Sequence, residues 1–293
     1  MHLIQLLLPD FSLIVAGYLL CRHTALNRPL WQAVEHLVYY LLFPVFLFQS
    51  IVRAPLDAHS ASTLMGAGLA LGVSGIALSY ALPRLPGLGR RISAHDHAAS
   101  AQVAFRFNSF IGLAIAERIA GPEGQQMIAV LIGVCVPLAN VGAVWPMARR
   151  GERAFLAELA RNPLIIATML GLLANALGLV LPSLLANTLQ RVGTTSIVLG
   201  LMAAGAGMQL RSVASQPALA SGVLAIRHLL LPLVAWMLAR GLGLGPVEST
   251  ALVIFSALPT SSSCYVLAAR MGFNGAYVAG LVTLSTALGA LSL

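Results

Sequence analysis

The chain has 293 residues, of which 58% are hydrophobic and only 9% are charged, and its mean hydropathy is +0.88. These values lie far outside the range of water-soluble domains and indicate an integral membrane protein. The formal net charge of +8 comes from arginines in short clusters between apolar runs, not from a basic face. The composition therefore argues against nucleic acid as a partner and predicts that the protein lies in a lipid bilayer.

Ten apolar segments follow one another along the chain. A helix that spans a membrane needs about 20 mostly apolar residues. The segments cover residues 3–21, 34–51, 63–82, 98–116, 127–147, 163–181, 192–208, 218–239, 249–268 and 276–293. The connections between them are short, so we expect an all-α membrane protein with ten transmembrane helices and no soluble domain.

The arginines between the segments predict the orientation in the membrane. The second, fourth, sixth and eighth connections hold one arginine each, whereas the odd-numbered connections hold all the others that lie outside the segments. Because positive side chains concentrate on the cytoplasmic side, we expect the odd-numbered connections in the cytoplasm and both termini outside.

The two halves of the chain show weak internal similarity. The stretch "FNSFIGLAIAERIAG" of segment four aligns with "LPTSSSCYVLAARMG" of segment nine, which puts Asn108 opposite Pro259 and Ser109 opposite Thr260. Each half contains an odd number of segments, so the two repeats must be inverted relative to the membrane. Inverted repeats with interrupted helices are typical of secondary transporters. The predicted repeats are residues 1–147 and 148–293.

Polar residues and a proline lie at the centres of segments four and nine. Proline removes a backbone donor and interrupts a helix, and the freed backbone groups are tolerated at membrane depth only beside protein or a water-filled cavity. The N-terminus of a half-helix attracts anions. We therefore predict that both helices are broken and cross at a small-anion site. The candidate binding residues are Arg106, Asn108, Ser109, Phe110, Asn140, Pro259, Thr260, Ser261 and Ser262.

Several of these residues also have a purely structural interpretation. Asn and Ser side chains often form ordinary contacts between membrane helices, and this applies to Asn108 and to the serines after Pro259. Arg106 and Arg227 fall inside segments, where an isolated arginine is costly and is expected to face a cavity or partner. Arg106 is a candidate clamp for a carboxylate.

Three residues are candidates for coupling transport to an ion gradient. They are Asp10, which we take as the only carboxylate well inside an apolar run, Arg227 and its neighbour His228. Asp10 can instead cap its helix, Arg227 can reach the membrane surface by snorkelling, and His228 can be a packing residue. The coupling ion would be a proton or sodium, and we expect no other cofactor.

Enzymatic functions find little support in the sequence. A serine nucleophile needs a base beside it, and neither a G-x-S-x-G turn nor a histidine lies near the "TSSS" run. An intramembrane serine hydrolase is therefore the weakest alternative, and the absence of a phosphate-binding loop argues against ATP. His95, Asp96 and His97 are adjacent but lack a third ligand, so we expect a solvated connection and no metal site.

Seven stretches in chain order resemble successive signatures of the auxin efflux carrier family in its compact bacterial form. They are "HLVYYLLFPVFLFQSI", "FRFNSFIGLAIAERIAG", "RNPLIIATMLGLLANALGLVLP", "LGLMAAGAGMQL", "LAIRHLLLPLVA", "SALPTSSSCYVLAARMG" and "LVTLSTALGAL". The resemblance implies a fold shared with the sodium/bile acid symporters. In that fold segments one, two, six and seven form a scaffold domain and the others form a transport domain.

The same resemblance implies a function. It implies secondary active transport of a small organic anion, such as malate, malonate or an auxin-like acid, across the bacterial cytoplasmic membrane by an elevator-type alternating-access mechanism. It also allows a homodimer through the scaffold domain. A sodium-coupled symporter of bile-acid-like or other amphipathic solutes is the alternative. The sequence departs from the plant members at Phe107, where they carry a proline, and lacks their long central loop.

Overall fold

The computed structural model of the chain describes residues 2–53, 60–87, 89–148, 161, 163–207, 210–261 and 263–292. These residues form helices joined by turns, and no strand occurs among them. Within this part of the chain, four helices are long and apolar enough to cross a membrane: Arg28–Gln49, Ser62–Arg84, Met127–Ala148 and Pro217–Gly241. The protein is therefore an all-α, multi-pass membrane protein.

The first half of the chain contains seven α-helices in the described residues. They are α1 (His2–His23), α2 (Arg28–Leu37), α3 (Phe43–Arg53), α4 (Ser60–Ala81), α5 (Ala94–Ser100), α6 (Gln102–Phe105) and α7 (Ser109–Ala148). A π-helical turn over Val38–Leu42 joins α2 to α3, and short 3₁₀ turns cover Leu82–Arg84 and Gly89–Arg91. Helix α7 changes direction at Gly121, whose φ of 64° is in the left-handed region that favours glycine.

The described residues of the second half of the chain form seven further α-helices. They are α8 (Pro163–Ala176), α9 (Ser183–Ala206), α10 (Pro217–Ala225), α11 (Leu231–Gly241), α12 (Pro246–Ala257), α13 (Ser263–Arg270) and α14 (Gly275–Ser292). A 3₁₀ turn covers Leu210–Ser215, and a π-helical turn over Ile226–Leu230 joins α10 to α11. Helical structure therefore occurs in each of the ten apolar segments.

Several predicted segment boundaries were wrong, among them the start of segment two, whose helix begins at Arg28 and not at residue 34. Segment six ends at Ala176 and not at residue 181, because the chain turns at Gly178, where φ is 64°. Segment seven begins at Ser183 and not at residue 192. The polar residue Gln190 belongs to this helix, where its side-chain oxygen accepts a 2.9 Å hydrogen bond from the buried Gln49 of α3. Hydropathy alone missed the first turns of this helix, because the polar Gln190 lies in them and is accommodated by its hydrogen bond with Gln49.

The helices pack in two groups. Helix α1 packs along α9, and α3 packs against both α8 and α9. Helices α4, α7, α11 and α12 pack against one another, and α13 packs against α14. The main apolar core includes Ile111, Leu131, Leu252 and Leu281, which are fully buried. A smaller cluster around Trp31 lies between α2 and α9.

Glycines bring the backbones of α1 and α9 into direct contact. A Cβ atom added at Gly17 would lie 1.9 Å from the carbonyl oxygen of Met202, and one added at Gly205 would lie 1.8 Å from that of Ile14. Small residues at such positions allow membrane helices to approach closely. The α1–α9 contact therefore requires glycine at both positions.

Replacing Gly205 with alanine is expected to destabilise the protein. The added methyl group overlaps backbone atoms, which cannot move aside as a side chain can, so α1 and α9 must separate. We expect a cost at the upper end of the ~1–3 kcal/mol typical of overpacking. The matched control is Gly66→Ala, since nothing lies within 4 Å of a Cβ at Gly66. Equal thermal midpoints of the two variants in detergent would show that the glycine contact is unimportant.

Candidate crossover site

Segments four and nine are both interrupted, and the two interruptions touch. Residues 106–108 are non-helical between α6 and α7, and residues 258–261 are non-helical after α12. The backbone amide of Asn108 donates a 2.8 Å hydrogen bond to the carbonyl of Pro259. The Asn108 side-chain oxygen accepts a 3.3 Å hydrogen bond from the amide of Ile111. Asn108 therefore caps α7. This cap explains how the helix can begin here although the chain has Phe107 at the position where the plant carriers have a proline.

Thr260 holds the two interruptions together. Its hydroxyl donates a 2.7 Å hydrogen bond to the carbonyl of Val103 in α6, and its amide donates a 3.0 Å hydrogen bond to the Ser285 hydroxyl in α14. The Thr260 side chain is buried. Backbone groups freed by the interruptions thus find partners within the protein, as the interior of a membrane requires.

The variant Thr260→Val is expected to loosen the crossover. Valine has nearly the same shape but cannot donate to the Val103 carbonyl, which is left without that partner in a buried position. We expect a loss of stability of about 1–3 kcal/mol, measured as a lower thermal midpoint. Thr188→Val is the control, because Thr188 donates to a backbone carbonyl at an exposed position. A midpoint as high as that of the control would contradict the role of Thr260.

Arg106 is a buried cation without an acidic partner among the described side chains. Its side chain is 5% exposed. One guanidinium nitrogen lies 2.9 Å from the Ser263 hydroxyl, and another lies 3.4 Å from the Gln102 side-chain oxygen. No carboxylate among the described side chains lies within ion-pair distance of it. A buried charge with only neutral partners is costly, so the site favours a bound anion.

A small cavity beside Arg106 contains a further unsatisfied donor. Asn140 is 1% exposed, and its side-chain nitrogen has no hydrogen-bond partner within the described part of the chain. Buried amide groups are normally hydrogen-bonded. The cavity has a volume of about 20 Å³, which is room for about one water molecule. Its lining residues are Phe43, Arg106, Phe107, Ser109, Val136, Ala139, Asn140, Ser261 and Ser263.

The lining brings together four of the nine predicted binding residues. Arg106, Ser109, Asn140 and Ser261 face the same cavity, and α7 and α13 both begin beside it, at Ser109 and Ser263. The first amides of a helix lack intrahelical acceptors and carry a partial positive charge. The arrangement can therefore donate hydrogen bonds to one small anion and stabilise its negative charge.

Other predicted residues lie elsewhere or outside the description. Asn108, Pro259 and Thr260 form the contact between the two interruptions rather than the lining of the cavity. The side chains of Asp10 and Phe110 and the whole of Ser262 lie outside the described residues.

Arg227 has a different role from the snorkelling predicted as one alternative. The π-helical turn at Ile226–Leu230 directs its side chain inward, where it is 2% exposed. Its Nε atom donates a 2.6 Å hydrogen bond to the carbonyl of Leu258, and an Nη atom lies 3.4 Å from that of Phe255. Carbonyls at a helix C-terminus lack partners in the helix. Arg227 therefore caps the end of α12.

His228 is connected to the crossover through Ser285. Its Nε2 atom lies 2.9 Å from the Ser285 hydroxyl, which lies 3.0 Å from the Thr260 hydroxyl. His228 therefore belongs to a hydrogen-bonded chain behind the crossover.

The expectation that His95, Asp96 and His97 form a solvated connection was wrong for His97, whereas His95 is exposed and Asp96 is half-buried. The stretch "AHDHAAS" forms helix α5, capped by the Ser93 side chain, which accepts from the Asp96 amide. His97 is buried, with its Nε2 atom 2.8 Å from the carbonyl of Ser79. Polar composition suggested exposure, but the histidine has a partner in α4.

A second, larger cleft lies between α2, α13 and α14. Its volume is about 520 Å³, and its lining includes Arg28, Glu35, His36, Tyr265 and Arg270. Glu35 is 8% exposed and forms a 2.7 Å ion pair with Arg28. The sequence analysis missed this pair by taking Asp10 as the only deep carboxylate. The signal was present, since Arg28 and Glu35 are seven residues apart and therefore lie on one helix face.

Comparison with known proteins identifies the family. A family profile described as membrane transport protein matches residues 93–293, which is more than half of the chain. No curated protein matches the sequence. The profile covers the crossover and every stretch of the resemblance except the one before residue 93. The protein is thus a membrane transporter, and the chain belongs to the membrane transport protein family, the family of the auxin efflux carriers.

Proposed function

We propose that the protein is a secondary active transporter of a small organic anion, a carboxylate such as malate, malonate or an auxin-like acid. The observation that carries this proposal is Arg106, a buried cation that has no acidic partner in the described part of the chain. It lies beside the Asn140 amide nitrogen, which has no hydrogen-bond partner there either. A guanidinium binds a carboxylate with two parallel hydrogen bonds. Asn140 and the helix N-termini would add neutral donors around the same group.

The size of the cavity supports alternating access. A volume of about 20 Å³ is too small for an organic acid, so binding requires its walls to separate. Phe43, in α3, is the one lining residue from the group of helices around α9, whereas the others belong to α7, α13 and the crossover. A shift of the crossover away from Phe43 would enlarge the cavity without breaking the hydrogen bonds of the crossover itself.

The helix packing supports a division into two domains. In this proposal α1, α2, α3, α8 and α9 form the scaffold, and the remaining helices form a transport domain that moves as an elevator. Each group contains helices from both of the proposed inverted repeats, residues 1–147 and 148–293. Helices within each group pack extensively with one another. We further propose that a proton or sodium gradient drives the movement across a bacterial cytoplasmic membrane, with the odd-numbered connections inside.

Uptake into proteoliposomes tests the proposal. Radiolabelled malate, malonate and indole-3-acetate are offered under imposed pH, sodium and voltage gradients to the wild type and to Asn108→Ala and Pro259→Ala. We expect saturable uptake of at least one acid by the wild type and a loss of at least tenfold in the two variants. Ser74→Ala, at an exposed position of α4, is the control. Absence of uptake of every acid under every gradient would overturn the anion proposal.

A further inference from the structure

We propose that Glu35 is the proton-binding carboxylate of the transport cycle, and that its charge state controls the contact between α2 and α13 through Tyr265. This inference rests on the proposed transport function. Glu35 is the one buried acidic side chain among those that the structure describes. It lies in α2, close to Trp31, whose ring is part of the apolar cluster between α2 and α9.

Glu35 lies between a partner on its own helix and a tyrosine on α13. Its carboxylate accepts hydrogen bonds of 2.7 and 3.4 Å from Arg28, two turns earlier in α2. The Tyr265 side chain of α13 lines the same cleft as Glu35. The Arg28 guanidinium lies over the Tyr265 ring, 6.0 Å from its centroid. Both charges of the ion pair therefore lie beside the same tyrosine.

The Tyr265 hydroxyl has one hydrogen, which it donates to the carbonyl of Ala203 in α9 at 3.2 Å. In this proposal the Glu35 carboxylate, which lines the same cleft, is the competing acceptor. An ionised carboxylate attracts this hydrogen more strongly than a neutral carbonyl does. A protonated Glu35 can instead donate its own hydrogen to the Tyr265 oxygen, which leaves the tyrosine hydrogen to Ala203. One proton on Glu35 thus changes how α13 is held by both α2 and α9.

This change reaches the crossover through a single turn of helix. Tyr265 follows Ser263 by two residues, and the Ser263 hydroxyl accepts the 2.9 Å hydrogen bond from Arg106. Tyr265 is also tightly packed against Gly207, the residue that follows α9, because a Cβ atom added at Gly207 would lie 3.0 Å from the tyrosine ring. Displacement of the tyrosine therefore moves the start of α13, where the anion would bind.

The cleft of about 520 Å³ gives the proton a route to Glu35, which is one of its lining residues. The titratable and charged groups that line this cleft with Glu35 are Arg28 and His36 from α2 and Tyr265 and Arg270 from α13. Cys21 from α1 packs against the neighbouring cluster around Trp31. The lining residues from α14 carry no titratable group: Gly275, Ala276 and Ala279. A proton that enters from the cleft binds a carboxylate oxygen and breaks the ion pair with Arg28. The same proton returns to water when the pair re-forms, so each cycle moves one proton and changes no covalent bond of the chain.

The test separates coupling from transport itself. Glu35→Gln, which imitates the protonated carboxyl, is reconstituted and compared with the wild type using malonate, malate and indole-3-acetate. One assay measures accumulation driven by a pH gradient, and the other measures exchange of labelled for unlabelled acid at equal pH. We expect the variant to lose at least tenfold in pH-driven accumulation while its exchange rate stays within about twofold of the wild type. Glu123→Gln, at an exposed carboxylate of α7, should keep both activities.

Each other outcome is decisive. Full pH-driven accumulation in Glu35→Gln would overturn the inference and leave the transport proposal intact. If the variant does not fold, Tyr265→Phe keeps the ring but removes the hydroxyl, and it should show the same selective loss. If the wild type moves no acid, the transport proposal fails separately. Infrared difference spectroscopy between acidic and alkaline buffer must then still show a protonated carboxyl band that Glu35→Gln lacks, and its absence in the wild type would overturn the inference.

Discussion

Replacing Arg106 with glutamine is expected to reduce uptake of the transported acid about a hundredfold without unfolding the protein. Glutamine can still bond to the Ser263 hydroxyl, but it removes the positive charge that would face the carboxylate. Loss of one partner of a buried, hydrogen-bonded ion pair costs about 3–5 kcal/mol, and residual donors such as Asn140 recover part of it. Stability should change little, because Arg106 has no acidic partner among the described residues.

Initial rates of uptake measured over a range of acid concentrations test this expectation. The matched control is Arg22→Gln, since Arg22 is an exposed arginine at the end of α1 that bonds to the Tyr18 hydroxyl. The control should transport at the wild-type rate. Transport by Arg106→Gln within about fivefold of the wild type would show that the buried guanidinium does not bind substrate.

Replacing Arg227 with leucine is expected to cause the largest loss of stability. The variant removes the donors to the carbonyls of Leu258 and Phe255, at 2.6 and 3.4 Å, at the point where α12 ends. Carbonyls without partners at membrane depth cost several kcal/mol. We expect a loss of about 3 kcal/mol or more, because hydrogen bonds to a charged donor are the stronger kind.

The thermal midpoint in detergent can be followed with a thiol-reactive dye, because Cys135 and Cys264 are buried and become reactive on unfolding. Arg240→Leu is the control. Arg240 lies at the exposed end of α11, where its guanidinium is 5.5 Å from the Trp236 ring centroid, and such contacts contribute about 1 kcal/mol or less. If Arg227→Leu melts at the same temperature as the control, Arg227 does not hold the crossover.

The sequence predicted where the two crossover helices are interrupted, but it did not predict which groups are the partners of the buried charged side chains. Pro259, and Asn108 within an apolar run, predicted non-helical backbone because proline and Asn change local hydrogen bonding wherever they occur. The cap that Arg227 provides depends on a carbonyl 31 residues away in the chain, which no local pattern reveals. At Glu35 the pair with Arg28 could be predicted from their spacing of seven residues. The neighbourhood with Tyr265 could not, since Tyr265 comes from the opposite half of the chain.

The predicted ends of the helices were wrong where a polar residue has a partner elsewhere in the chain. Segment seven was predicted too short because Gln190 looked like part of a connection. Its helix continues because Gln49 supplies a partner. His97 was expected in water for the same reason and is buried against α4. Hydropathy therefore located segments that are helical in the structure, and four of them lie in helices that are long and apolar enough to span a membrane among the described residues. The burial of individual polar residues instead depends on contacts between distant segments.

Protection of a cysteine at the crossover by the transported acid tests the central claim most directly. Ser261 is half-buried and lines the cavity beside Arg106, so Ser261→Cys is made in a background in which Cys21, Cys135 and Cys264 are alanine. We expect the acid, at ten times its KM, to slow maleimide labelling at this position at least fivefold. Labelling of the exposed control Ala94→Cys should be unaffected. Equal labelling of Ser261→Cys with and without the acid would contradict binding at the crossover.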